Sequence, residues 1–276
     1  MKTDQDTWAR NWEPRQRWVL GFLLLIAVVS MLVLGTVLTP PGPGGNAVDL
    51  ELARNEAGFA DAFARGWRQE NDQLCGLNDQ LEPAGYAPDG LFFGTLRCHL
   101  FVDSLGFVPG YVGLLTLFTL LLAPIAGLRR TLLVHALCVP AIAAGLFDIA
   151  ENSMTILAAE NLMDGLLVDA TVQDVRLASL CKWSLVTVAF AVLAVLAWRA
   201  VATSRTAGVS AWALRIAAVG AALCAVILVT GLASALYSLL APGMIPGAIA
   251  LALLAGWRFA SSRSMPALLG APDRSK

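Results

Sequence analysis

Apolar positions along this chain gather into long blocks separated by polar segments, and that alternation predicts its elements. Trp18–Thr39 runs for 22 residues without a charge. Five further blocks follow: Phe107–Leu128, Thr131–Ala150, Leu177–Trp198, Trp212–Leu239 and Gly243–Trp257. An α-helix rises about 1.5 Å per residue, so roughly 20 apolar residues cross a hydrocarbon core about 30 Å thick. Each block therefore reads as a transmembrane helix, the last a short one whose start unwinds around Gly243, Pro246 and Gly247. Only Arg129-Arg130 separates the second and third blocks, which predicts a tight antiparallel pair. Pro140 removes a backbone donor and should bend the third.

The expected fold is all-α, a polytopic transmembrane helical bundle of about six spans with a small extracytoplasmic helical loop. Along the chain this gives a cytoplasmic N-terminal segment over 1–17, a first span over 18–39 and an outer loop over 40–102. A five-helix region over 103–260 and a cytoplasmic tail over 261–276 complete it. The first block is longer than the roughly 7–15 residues of a signal-peptide core, and Thr39-Pro40-Pro41 is a poor cleavage context. It reads as an uncleaved anchor.

Basic residues set the orientation. The N-terminal segment, the Arg129-Arg130 turn, the stretch Arg199–Arg215 and the tail carry 13 of the 19 Lys and Arg residues. Residues 40–102 hold nine acids and four bases, and residues 151–177 five acids and one base. The positive-inside rule then puts both termini in the cytoplasm and both acidic loops outside. Trp18, Trp198, Trp212 and Trp257 fall at the predicted cytoplasmic ends, as an interfacial aromatic belt requires.

Composition agrees. The chain is 57% hydrophobic and 14% charged, and its net charge of −1 gives a nucleic acid nothing to bind. Mean hydropathy is +0.68. The five cysteines form no C-x-x-C pair and the two histidines lie far apart, so neither a metal site nor a cofactor is expected from spacing. Cys75 and Cys98 share the outer loop, on the side where disulfides persist, and are expected to pair. Cys138, Cys181 and Cys224 lie inside spans and read as small apolar fillers. Leu52, Phe59, Phe63 and Trp67 recur on one helical face of the same loop, predicting a helix that packs on the bundle or the membrane surface, or takes a partner.

Ionisable residues in such blocks are costly and need a reason to be there. Asp103 stands just before the second span, with Tyr111 eight residues later. Asp148, Glu151 and Asn152 end the third span, spaced to share one side of a helix. Lys182 lies about one and a half turns into the fourth. With the orientation above, all six reach the outer ends of three sequential helices and converge in a pocket open to that side. Lys182 would pair with Asp148 or Glu151, and the surplus carboxylate would be offset by a proton. A structural account stands beside this one: the acids face water at helix ends, Lys182 snorkels and Asn152 joins helices. Tyr237 and Ser238 would rim the same pocket, and a lone His135 would bond a neighbouring helix.

Three segments occur in order: Asp103-Ser104-Leu105-Gly106-Phe107-Val108-Pro109-Gly110-Tyr111, Phe147-Asp148-Ile149-Ala150-Glu151-Asn152 and Lys182-Trp183. They resemble the D-x-x-x-F-x-x-x-Y, D-x-x-E-N and K-W signatures of a group of small bacterial multi-pass inner-membrane proteins of unknown function. The resemblance covers roughly Ala60 to Trp198. It implies a bacterial inner (plasma) membrane and supplies no activity.

The chain has no Gly-rich phosphate loop, G-x-S-x-G or H-E-x-x-H. Three classes remain. One is a membrane protein whose outer-facing polar pocket binds a small amphipathic ligand or lipid, with membrane lipids as its other partners. The second is a membrane-embedded enzyme with a carboxylate–lysine acid–base site. The third is a proton-linked carrier.

Overall fold

The computed structural model describes residues 50–65, 96–128, 131–203, 209–234, 240–247, 249–251 and 253–254. The expected span Trp18–Thr39, the tail, Trp67, Tyr237 and Ser238 lie outside them. The described elements are α1 (Glu56–Arg65), α2 (Val108–Ile125), α3 (Thr131–Met163), α4 (Asp169–Thr203), α5 (Val209–Ala233) and α6 (Leu240–Gly243). A π-helical turn, Asp103–Phe107, leads into α2. There is no strand among the described residues.

Four of these helices are long and apolar enough to cross a membrane: Leu96–Ala123, Leu132–Met163, Asp169–Thr203 and Trp212–Ala233. The chain is an integral membrane protein built as a helical bundle. α2, α3 and α4 pack against one another, and α5 packs on α4. The core between α2, α4, α5 and the residues after α6 is centred on Phe118, Phe190, Leu193, Leu228 and Leu251. α3 turns Leu132, Val139, Ile142, Leu146 and Ile149 outward, as a face in contact with lipid tails does. Trp198 and Trp212 are also exposed. His135 is exposed on α3.

Two helices outrun the apolar pattern. α3 continues to Met163, although its apolar block ends at Ala150, and α4 starts at Asp169, before its block opens at Leu177. Most of the acidic segment expected as a loop is thus a helical hairpin extending the bundle. Its turn has a physical signature. Gly165 takes φ +68°, and the N–H groups of Gly165 and Leu166 donate to the carbonyls of Leu162 and Asn161. That is a Schellman ending, which needs a residue without a Cβ at the left-handed position. α2 ends the same way at Gly127, where Leu128 N–H donates to Ala123.

α1 packs on this extension. Phe59 and Ala62 meet Ala158 of α3 and Val172 and Val175 of α4 in a second, smaller core, with Phe63 at its edge. Asn55 caps α1, its side-chain oxygen accepting from Gly58 N–H at 2.8 Å.

Candidate functional site

The polar centre forms where α2, α3 and α4 meet. Lys182 is buried on α4. Its Nζ lies 2.5 Å from Glu151 Oε2, 3.2 Å from Asp148 Oδ1 and 3.2 Å from Glu51 Oε2. The other oxygen of Asp148 accepts a hydrogen bond from Tyr111 at 2.9 Å. One turn beyond Asp148, Asn152 donates to Asp103 Oδ2 at 2.6 Å and to Ser104 Oγ at 3.0 Å. All six residues singled out in the sequence are therefore brought together. They divide into a group on Lys182 and a group on Asn152, and Asp103 is reached through the amide rather than by the ammonium.

Two local features aim these side chains. Eight residues of α-helix exceed two turns by almost one residue, which would rotate Tyr111 roughly 80° away from Asp103. The π turn adds one residue to the winding at Asp103–Phe107, with Val108 N–H donating to Asp103 O, and restores the shared face. Pro109 has no N–H to lose at this point. The second feature is Gly145. A Cβ there would stand 2.5 Å from Val112 Cγ2 and 3.3 Å from Val108 Cγ1. Only glycine lets α2 approach α3 closely enough, one turn before Asp148, for the Tyr111 hydroxyl to reach it.

The site lies within helices rather than at their ends. Lys182 is 13 residues into α4, between three and four turns. Asp103 is inside the helical stretch Leu96–Ala123, and α3 runs about 18 Å past Glu151. Glu151 is fully buried, Asp148 and Lys182 are each 5% exposed and Asn152 is 3% exposed. The centre is thus a packed polar core, not an open cleft. Within it, Glu151 Oε1 and Thr155 Oγ1 are buried with no hydrogen-bond partner among the described residues.

Glu51 is the functional candidate that sequence reasoning missed. It belongs to a strap that runs along α4. Glu51 Oε2 accepts from Lys182 and, at 3.3 Å, from Ser179. Gln173 Nε2 donates to the carbonyl of Arg54, and Asp169 Oδ1 accepts from Glu56 N–H at 2.8 Å. The α4 partners Asp169, Gln173, Ser179 and Lys182 spread over about half the helix circumference, so the strap crosses α4 at a slant. Nothing local distinguishes Glu51 from the eight other acids between residues 40 and 102.

Cys98 is disulfide-bonded, while Cys138, Cys181 and Cys224 are free. Cys75, the expected partner, lies outside the described residues. No metal-holding group of three or more His, Cys, Asp or Glu occurs among the described residues. Comparison with family models, with curated proteins and with solved structures gives no match to this chain.

Proposed function

We propose that this integral membrane protein works through a proton held in the Lys182 cluster, as a proton-linked carrier of the bacterial inner membrane. Both termini are cytoplasmic in this reading, and the cluster is closed until the strap on its Glu51 side moves. One observation carries it: a single ammonium faces three carboxylates at 3.2 Å or less, with a fourth, Asp103, joined through Asn152. Fully ionised, the group would hold three uncompensated negative charges, with Asp148 and Glu151 buried and Glu51 and Asp103 partly exposed. Like charges this close cannot all ionise, and a shared proton is the smallest partner that relieves them. The unpartnered Oε1 of Glu151 is a place for it, since no donor competes there among the described residues.

The strap supplies access. Glu51 is the most exposed of the three acids on Lys182, its side chain 12% exposed against 7% for Asp148 and 0% for Glu151. It is also the only one outside the four membrane-crossing helices found among the described residues. Its departure would uncover Lys182 without unfolding any of those four. The packed state favours this reading over a standing ligand pocket.

Infrared spectroscopy of the protein in lipid nanodiscs tests it. A carboxylic-acid carbonyl band should be present at neutral pH, exchange slowly with deuterated water and weaken in Glu151→Gln. Ionised carboxylates alone, together with no dissipation of an imposed pH gradient in proteoliposomes when Glu51→Gln loosens the strap, would rule the reading out.

A further inference from the structure

A second feature stands apart from the polar centre. An apolar groove of about 350 Å³ runs between α5 and the helical residues that follow α6. Its floor is a close helix crossing. A Cβ on Gly220 would lie 2.4 Å from Ala250 Cβ and 2.9 Å from the Pro246 carbonyl oxygen. Its walls are branched side chains left half-exposed: Val219 54%, Leu223 49%, Ile249 51% and Leu253 57%. At one end stands a cation. Arg215 lines the groove, its guanidinium 5.6 Å from the centre of the Trp212 ring.

We infer that this groove holds an acyl chain of an anionic phospholipid, with the lipid phosphate on Arg215. Charge complementarity selects the occupant. From Val175 to Pro272 the sequence contains no aspartate or glutamate, whereas Arg199, Arg205, Arg215, Arg258 and Arg263 all fall in that interval. No salt bridge to Arg215 occurs among the described residues, so its counter-ion comes from outside this half of the chain. A lipid phosphate beside the groove meets that need. The guanidinium presents a planar fork that matches phosphate oxygens, and the Trp212 ring fixes the fork at one end of the groove. From Arg215 to Leu223 the groove covers about 12 Å of helix, so the cation and the apolar slot engage two ends of one molecule. A second copy packing the same C-terminal helices here would cover the walls but leave Arg215 without an anion, since residues 175–272 hold no acid.

Native mass spectrometry of the full chain, equilibrated in mixed micelles with phosphatidylglycerol or phosphatidylcholine, tests the assignment. Phosphatidylglycerol should be retained in preference. Arg215→Gln should reduce its retention about fivefold, the effect of one basic residue near an anionic headgroup. Val219→Trp, which fills the groove from an exposed position, should lower the retention of both lipids. Circular dichroism and monodisperse elution establish that each variant is folded. Equal retention of the two lipids by the native chain, or unchanged retention in Arg215→Gln, would overturn the proposal. So would a dimer mass that Val219→Trp dissolves, because the groove would then belong to a second copy.

Discussion

Lys182 is the one cation that three buried or half-buried carboxylates share, so its removal should reach all of them. Lys182→Met leaves those charges unpaired in a poorly solvated place, and breaking a buried pair costs about 3–5 kcal/mol. A second substitution, Asp148→Asn or Glu151→Gln, should recover part of the loss, because it removes a charge that the first left uncompensated. Glu51→Gln should recover less, since its carboxylate sits nearer the surface. Thermal unfolding in detergent of the singles and doubles reads the coupling, and additive effects throughout would detach Lys182 from its neighbours. At this scale the sequence was informative where a charge interrupts an apolar block. Asp148, Glu151 and Lys182 stand out against what surrounds them. Glu51 does not, because a carboxylate in a polar segment is unremarkable until the fold brings it to a lysine 131 residues away.

Elements place that chemistry through two departures from ideal helices, the π turn before α2 and the glycine contact on α3. Gly145→Ala should cost about 1–3 kcal/mol by overpacking Val112, whose branched side chain has little freedom to yield. It should also break the Tyr111–Asp148 hydrogen bond one turn away. Adding Val112→Ala removes the obstructing methyl and should restore both stability and the bond. Thermal melts, with the ultraviolet signal of the tyrosine hydroxyl as local reporter, check the pair; a double variant as unstable as the single would locate the strain elsewhere. Apolar patterning identified α2 to α5 because lipid contact imposes it directly. It placed the ends of α3 and α4 too near the blocks, because beyond the apolar core a helix is held by packing. Phe59 of α1 against Val172 and Val175 does that here. The π turn left no mark in the hydropathy, although Gly106 lies in it and Pro109 follows two residues after its end.

Across the whole molecule, the segregation of bases predicts which end of the bundle faces the cytoplasm. A reporter fused at Asn78 should act as an outer-side reporter and one fused after Lys276 as a cytoplasmic one; cytoplasmic activity at Asn78 would invert the orientation. The four long helices were legible from composition and block length. The assembly of the strap was not, because its contacts join segments far apart in sequence. That separation also has a meaning in time. A ribosome adds about 5–20 residues per second, so Lys182 is made roughly 7–26 s after Glu51. Through that interval Asp148 and Glu151 are made with no lysine yet to meet them. The ion cluster can close only after α4 has inserted beside α3. The strap contact is then a late event of biogenesis, and a chain stalled before residue 182 would present its acids bare to the machinery that inserts or degrades it.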